Sequence, residues 1–320
     1  MLKTDKMATI GNKRRRTAAD TLHISDLPTG FIVDVSAYLT KPSRAILAVA
    51  FSGLSSSWKN YDDLMHRPSP ISTAIISAQQ WDILDFEDIE RELANKLTDD
   101  DINAILKCIN ARGVLKRLKL CGCTNIEGHG LNPLRGSVVL EQIDISLVGK
   151  HDCPKIEPPK ISLEAILPIL QSIVSSDGCS LKYVLFPEKW WPKSGVAEVE
   201  TIDAGLESFL QEHNIQLNKQ ELSCSKCYKS ISYVASEHDW TSNGYQNSIC
   251  YDCLQPFCCD ECTFTEENRE RQLSFCRMCR KDYCPDCCVK VEDCQGCGEK
   301  VCGSCIKENN GERLCEDCNY

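Results

Sequence analysis

Cysteine is the residue of this chain whose number and spacing could do the most chemistry. The chain of 320 residues has 23 cysteines, and 18 of them lie in its last 97 residues. A two-residue turn lets both sulfurs of a Cys-x-x-Cys pair face one ion, and two pairs complete a tetrahedron of thiolates. The spacing predicts about four such metal sites. Sixteen cysteines are the predicted ligands, in eight pairs: Cys224/Cys227, Cys250/Cys253, Cys259/Cys262, Cys276/Cys279, Cys284/Cys287, Cys294/Cys297, Cys302/Cys305 and Cys315/Cys318.

Zinc is the metal that regularly paired thiolates favour. The intervals between pairs run from 4 to 22 residues, which leaves little room for a hydrophobic core, so we expect the metal to supply much of the folding free energy. Short alternating intervals resemble the cross-braced fingers of the RING, PHD and FYVE families. That resemblance implies that the first pair shares an ion with the third and the second with the fourth, and likewise within the last four pairs. Sequential pairing and iron–sulfur clusters remain open alternatives.

Other chemistry finds little support in the sequence. If every paired thiolate is a ligand, no open metal position remains to activate water. No HExxH, Walker or dinucleotide-binding motif occurs, and a formal net charge of −10 is unsuited to nucleic acid or anionic membranes. We expect His213 and His238 not to be ligands, and Cys258 and Cys288, each next to a paired cysteine, to be spectators. Because no apolar segment follows the basic start, we expect no signal peptide and a reducing compartment in which disulfides are rare.

A repeating apolar pattern precedes the cysteine-rich region. Four triads share the spacing 0, +3, +5, and the central two are 25 residues apart, within the range of leucine-rich repeats. Each triad predicts a short strand, and segments 98–111 and 161–174 are the predicted return helices. Unrelated strands of an ordinary α/β domain are the alternative. The triads are Trp81/Leu84/Phe86, Leu115/Leu118/Leu120, Leu140/Ile143/Ile145 and Leu181/Val184/Phe186.

The segment from Leu27-Pro28 to Trp58 is apolar at helical spacing and resembles an F-box. Members of that family form small helices that dock on a Skp-family adaptor, which links them to a cullin ubiquitin ligase. The resemblance implies adaptor-binding residues, and the pattern leaves several of them partly exposed. A helical cap on the repeat is the alternative. The predicted adaptor-binding residues are Leu27, Pro28, Ile32, Val35, Leu39 and Ile46.

Cys121 and Cys123 follow the second triad, in Leu120-Cys121-Gly122-Cys123-Thr124-Asn125. The segment resembles the cysteine-containing subtype of leucine-rich repeat, in which thiols and an asparagine occupy this turn. We therefore expect both cysteines to be core residues that act as small apolar side chains. Cys108, Cys153 and Cys179 are isolated and carry no predicted chemistry.

The chain is thus predicted to be an α+β protein of several domains. We expect a disordered basic tail at 1–20, F-box-like helices at 21–60, an irregular leucine-rich-repeat solenoid at 61–215 and cross-brace-like zinc fingers at 220–320. The predicted function is a substrate-recruiting subunit of a cullin ubiquitin ligase that holds a protein target near the conjugating enzyme. A stand-alone RING-like ligase and a non-enzymatic PHD-like peptide or chromatin reader are the alternatives. The basic run at 13–16 is compatible with a nuclear location, and a cytoplasmic one is equally open.

Overall fold

The computed structural model describes residues 28–51, 70–77, 80–147, 160–191, 203–225, 228, 230–231, 249–256, 274–276, 281–284, 287, 291–303, 305–309, 312–315 and 318. Helices and strands are mixed, so the predicted α+β class is confirmed. The α-helices in these residues are α1 (Thr29–Ser36), α2 (Lys41–Phe51), α3 (Pro70–Ser77), α4 (Arg91–Ala94), α5 (Asp99–Cys108), α6 (Ala111–Val114), α7 (Leu163–Val174) and α8 (Ala204–Lys219). The strands are β1 (Ile83–Asp85), β2 (Arg117–Lys119), β3 (Gln142–Asp144), β4 (Tyr183–Leu185), β5 (Ser274–Phe275), β6 (Asp282–Tyr283), β7 (Val291–Asp293), β8 (Lys300–Cys302), β9 (Ile306–Asn309) and β10 (Glu312–Cys315).

Strands β1 to β4 form one parallel sheet in which neighbours in sequence are neighbours in space. Their central residues are aligned in register, in the order Leu84, Leu118, Ile143 and Val184. These four are the middle residues of the four triads recognised in the sequence, and all of them are buried. The triads found by their spacing in the sequence are therefore the strands of a single sheet, with their middle residues aligned across it.

Helices cover one face of this sheet. Helix α5 begins at Asp99, after the N-cap residue Thr98, whose hydroxyl forms a capping box with Asp101, and it ends at Cys108. The predicted helix over 98–111 is thus divided, because Asn110 adopts a left-handed conformation (φ 52°) before the short helix α6. Helix α7, capped by Ser162, matches the other predicted return segment. The buried faces of α5 and α7 share one apolar core with the triads.

The N-terminal helices α1, α2 and α3 pack on one another through Ile32, Ala48 and Ile75. On its other side, α2 contributes Ala45 and Val49 to the core beneath the sheet. The small helical unit therefore packs directly on the domain built from β1–β4 and α4–α8, which we call the sheet domain. The basic tail predicted at residues 1–20 lies outside the described residues.

The cysteine-rich region contains three antiparallel strand pairs: β5 with β6, β7 with β8, and β9 with β10. Its core joins cysteines of the predicted ligand pairs to Ile249, Tyr251, Leu254 and Val301, and it extends to Tyr183 of strand β4. The region thus packs on the sheet face that the helices leave uncovered. Among the described residues, no helix has the length and apolar content needed to cross a membrane.

Candidate metal centres

Three groups of cysteine sulfurs converge in the described part of the cysteine-rich region. In each group the sulfurs all lie within 4.8 Å of one another. They are cluster A (Cys250, Cys253, Cys284 and Cys287), cluster B (Cys276, Cys302 and Cys305) and cluster C (Cys294, Cys297, Cys315 and Cys318). Clusters A and C therefore offer four thiolates each. Cluster B offers three, and its expected fourth ligand, Cys279, lies outside the described residues.

The sulfur separations fit a tetrahedral metal–thiolate centre. A tetrahedron with metal–sulfur bonds of about 2.3 Å has sulfur–sulfur edges of about 3.8 Å. The Sγ atoms of Cys253 and Cys284 are 3.8 Å apart in cluster A, and those of Cys297 and Cys315 are 3.7 Å apart in cluster C. A disulfide needs about 2.05 Å. The geometry therefore fits a shared ion.

The first cysteine of each cluster opens the same type of turn. Its backbone N–H donates to the carbonyl oxygen five residues later, in Cys250 to Gln255, Cys276 to Lys281 and Cys294 to Glu299. In clusters A and C, the residue four positions on (Leu254 or Gly298) has a positive φ and donates its own N–H back to the first cysteine. A local backbone pattern thus turns both sulfurs of a pair inward.

A second backbone pattern joins the two halves of each cluster. The first sulfur accepts a hydrogen bond from the N–H of the first cysteine of the other pair. These bonds are Cys284 N to Cys250 Sγ at 3.3 Å, Cys302 N to Cys276 Sγ at 3.2 Å and Cys315 N to Cys294 Sγ at 3.1 Å. Amide donors stabilise a thiolate more than a thiol, so this arrangement favours the ligand form of the sulfur.

The acidities of the sulfurs differ with their surroundings. Burial raises the pKa of the thiols Cys250 and Cys315 to about 12. Although burial acts in the same direction on Cys294, the N–H groups of Cys315, Cys297 and Gly296 lower its pKa to about 6. A dication that binds a cluster must therefore displace protons, and metal affinity is expected to fall as the pH falls.

The partnership of the pairs differs from the one predicted. The pair Cys250/Cys253 was expected to share an ion with Cys276/Cys279. The structure places it instead with Cys284/Cys287, and it places Cys276 with Cys302/Cys305. Only in cluster C do the predicted partners meet. The clusters interleave along the chain, because one cysteine of cluster B lies between the two pairs of cluster A.

Three predicted ligands besides Cys279 lie outside the described residues: Cys227, Cys259 and Cys262. Their partner Cys224 is described and buried. It opens a turn in which Tyr228 has a φ of 61° and donates its N–H to the carbonyl of Cys224 at 2.9 Å. This is the turn seen at Leu254 and Gly298, so Cys224 has the backbone conformation of a ligand.

Cys121, Cys123 and His213, which were not predicted to be ligands, lie away from the three clusters. Cys121 and Cys123 are buried beside the sheet, and burial raises the pKa of both thiols. The Sγ of Cys121 lies near the carboxylates of Asp85 and Glu87. His213 is fully buried on α8, bonded to the carbonyl of Leu181 at 3.1 Å and stacked on the ring of Phe209.

Two residues close to the ligands were missed by reasoning from the sequence. Tyr251, between Cys250 and Cys253, donates its hydroxyl to Asp144 of β3 at 2.7 Å. Lys281 lies three residues before Cys284, and its Nζ is 3.4 Å from the same carboxylate. The only sequence signal was an aromatic residue inside a ligand turn, which does not reveal its partner.

The residues predicted to bind an adaptor are only partly at the surface. Ile32 is 3% exposed, which differs from the expectation of partial exposure, because it packs between α2 and α3. Ile46 packs on the core of the sheet domain. Val35 is exposed, and Leu39 is half-buried. Pro28 precedes α1, and Leu27 lies outside the described residues.

The whole chain was also compared with proteins of established family. No protein-family model, no curated protein and no solved structure matches it.

Proposed function

We propose that the cysteine clusters hold structural zinc ions, about four in the whole chain. The observation that carries this proposal is the sulfur–sulfur separation of 3.7 and 3.8 Å, the edge of a zinc–thiolate tetrahedron. Four thiolates close the coordination sphere, so the ion would stabilise the fold and not activate water. Zinc is favoured over an iron–sulfur cluster because sulfurs this close leave space for one ion only.

The fourth ion belongs, in this proposal, to the pairs Cys224/Cys227 and Cys259/Cys262. Two observations support this assignment. Cys224 opens a turn of the ligand type, and hydrogen bonds join this turn to Pro256, three residues before Cys259. The N–H and hydroxyl of Ser225 both donate to the carbonyl of Pro256 at 2.9 Å. The four sites together would form cross-brace-like fingers, since each interleaves with the next.

The metal proposal has a direct measurement. Native mass spectrometry of the purified chain should find about four zinc ions, and elemental analysis should find zinc and no iron. Replacement of Cys297 by Ser should remove one ion. A metal-free chain that retains the circular dichroism of the native protein would refute the proposal.

At the level of the whole chain, we propose the substrate-recruiting subunit of a cullin ubiquitin ligase, with a leucine-rich-repeat sheet behind an F-box-like helical unit. The supporting observation is the outer face of α1. Phe31 is 54% exposed, and Val35, four residues later on the same helix, is 43% exposed; Tyr38, in the turn after α1, is 91% exposed. Apolar side chains at this helical spacing suit a partner with an apolar groove. Here the partner would be a Skp-family adaptor, and a protein substrate would bind elsewhere on the chain.

The rigidity of this unit supports a docking role. The guanidinium of Arg44 on α2 donates to the carbonyls of Ser36 and Ala37 at 2.8 and 2.9 Å, which satisfies the C-terminal end of α1. Lys41 also pairs with Asp82 before β1 at 2.7 Å. Helix α1 is therefore held in a defined orientation relative to the sheet.

The test is copurification with a Skp-family adaptor. A double variant, Phe31→Ala with Val35→Ala, should reduce adaptor binding at least tenfold, because both side chains are lost from the exposed face. Ile215→Ala on α8 removes an apolar side chain of similar exposure (56%) and should leave binding unchanged. An adaptor that binds the double variant as tightly as the native chain would sink the assignment.

A stand-alone RING-like ligase is the second candidate, because the described clusters interleave as they do in cross-braced fingers. It predicts ubiquitin transfer to the chain itself in a reaction with a conjugating enzyme and no cullin. Such activity, together with a failure to bind the adaptor, would favour this candidate over the first.

A further inference from the structure

One face of the parallel sheet carries side chains that would normally be hydrated. Arg117, Gln142 and Tyr183 are in register across β2, β3 and β4, and Lys119 and Asp144 form the next row. We name these five residues the polar face. Gln142, Asp144 and Tyr183 of this face are nevertheless buried. The cysteine-rich region covers them.

The covering contacts come from two short segments. The hydroxyl of Tyr251 donates to Asp144, and the carbonyl of Tyr251 accepts from Nε2 of Gln142 at 2.9 Å. The ammonium group of Lys281 lies 3.4 Å from Asp144 and 4.2 Å from the ring centre of Tyr251. Arg117 donates to the carbonyl of Asp252. A buried ion pair, an aromatic ring and three hydrogen bonds thus join the two parts of the chain.

These contacts depend on the geometry of cluster A. Tyr251 and Asp252 are the two residues between the ligands Cys250 and Cys253. The N–H of Tyr251 donates to the carbonyl of Asp282 at 2.7 Å, which ties the turn to the segment that leads to Cys284. Lys281 also accepts, through its carbonyl, the N–H of Cys276, the first cysteine of cluster B. A cluster A without its metal would no longer hold Tyr251 against Asp144, so the meeting of Tyr251 and Lys281 on one carboxylate would be lost.

The chemistry of the ion pair indicates that it orients the region more than it stabilises it. The side chains of Lys281 and Asp144 are 1% and 0% exposed, and the desolvation of two such charges offsets most of their attraction. Once separated, both groups regain hydration. The closed arrangement therefore depends on the metal-ordered turn to hold the pair together.

We propose that cluster A is a metal-dependent latch, which closes the polar face of the sheet with the chain's own cysteine-rich region. This inference rests on the zinc proposal above. It implies that the metal-loaded protein binds a target through other surfaces, and that metal loss from cluster A uncovers Arg117, Lys119, Gln142, Asp144 and Tyr183.

The test is carboxylate and amine footprinting of the full chain, read by mass spectrometry, with the zinc count measured on the same sample. Cys284→Ser removes a ligand of cluster A and should raise the labelling of Asp144 and Lys281 at least tenfold. Cys297→Ser removes a ligand of cluster C, outside the two covering segments, and should leave that labelling at the native level. Zinc added to chelator-treated native protein should restore protection.

The outcomes separate this inference from the zinc proposal. A native chain without bound metal refutes the zinc proposal. A Cys284→Ser chain that has lost one ion but still protects Asp144 refutes the latch alone. Hydrogen exchange at Leu118 and Ile143 shows whether the sheet core stays folded.

If the sheet core of Cys284→Ser unfolds, stepwise chelation of the native chain decides. The labelling of Asp144 should rise as zinc is lost, while hydrogen exchange at Leu118 and Ile143 stays at the native rate. Asp144 labelling that remains at the native level in zinc-free protein would overturn the latch.

Discussion

Gly296, one of the two residues between Cys294 and Cys297, shows how closely the ligand turns of cluster C are packed. A Cβ at this position would lie 2.7 Å from Cβ and 2.9 Å from Sγ of Cys318. Any side chain would therefore push a predicted ligand away from the other three. The small residue between two cysteines is therefore needed, as the cysteines are, to bring the four sulfurs of cluster C together.

Gly296→Ala is predicted to weaken metal binding at cluster C by about tenfold, or ~1.4 kcal/mol. Competition with a chromophoric chelator would measure the change. Gly30→Ala on α1 is the matched control, because its new Cβ meets nothing within 4 Å. Equal zinc affinity of the two variants would contradict the packing argument.

His213 provides a second prediction at the scale of one residue. Burial lowers its pKa from 6.5 to about 4, and its neutral ring donates to the carbonyl of Leu181. Below pH 6.5 the imidazole of His213 becomes protonated in the unfolded chain, whereas in the folded chain it stays neutral until the pH approaches 4. The contribution of neutral His213 to the free energy of unfolding is thus complete above pH 6.5. It declines by about 3 kcal/mol in total as the pH falls toward 4.

The measurement is the free energy of unfolding of the native chain and of His213→Gln between pH 7.5 and 5. Glutamine keeps an N–H donor but does not titrate, so the advantage of the native chain should shrink as the pH falls. The cysteine clusters contribute equally to both proteins and cancel. A difference independent of pH would show that His213 is not protected from protonation.

At the scale of elements, the start of α5 anchors the loop that follows β2. The carboxylate of Asp99 accepts hydrogen bonds from the N–H groups of Glu127, Gly128 and Gly130. Gly130 approaches so closely that a Cβ there would lie 2.6 Å from the Asp99 carbonyl oxygen. One side chain thus fixes the distance between the start of α5 and the loop that follows β2.

Asp99→Ala is predicted to lower the free energy of unfolding by about 2–3 kcal/mol, because three amides lose a charged acceptor. Denaturant titration followed by circular dichroism would measure it. Asp100→Ala, at the next and exposed position of the same helix turn, should cost less than about 0.5 kcal/mol. Similar losses in both variants would show that the helix dipole, and not the loop contacts, explains the effect.

At the scale of the whole molecule, the two halves of the chain are stabilised by different means. The sheet domain has one continuous apolar core built from the triads and the helices. In its described residues, the cysteine-rich region has a small core with few apolar residues besides its cysteines. Metal binding, worth on the order of 10 kcal/mol per site, would supply what this small core lacks.

Chelation is therefore predicted to unfold the cysteine-rich region and to spare the sheet domain. Calorimetry of the zinc-loaded chain should show a transition that a strong chelator removes, while the transition of the sheet domain remains. Re-addition of zinc should restore the transition that the chelator removed. Loss of all structure on chelation would show that the sheet domain cannot fold without its cysteine-rich cover.

Local spacing is enough to find the Cys-x-x-Cys pairs and the four strands of the parallel sheet. A Cys-x-x-Cys turn is defined within four residues, and a 0, +3, +5 triad within six. Leu84, Leu118, Ile143 and Val184 can therefore be aligned from the spacing of apolar residues alone. The bounds of α5 cannot, because the left-handed Asn110 that ends this segment has no unambiguous signal in the residue types.

Only the tertiary structure decided which pairs share a site and what the polar face contacts. Every Cys-x-x-Cys turn offers the same two thiolates, so nothing in the pair at Cys250 specifies Cys284 over Cys276. That choice depends on packing between distant segments, such as Tyr251 on Asp144, 107 residues apart in the chain. Contacts at that separation are set by the free energy of the whole fold. They cannot be predicted from the spacing of residues within one segment.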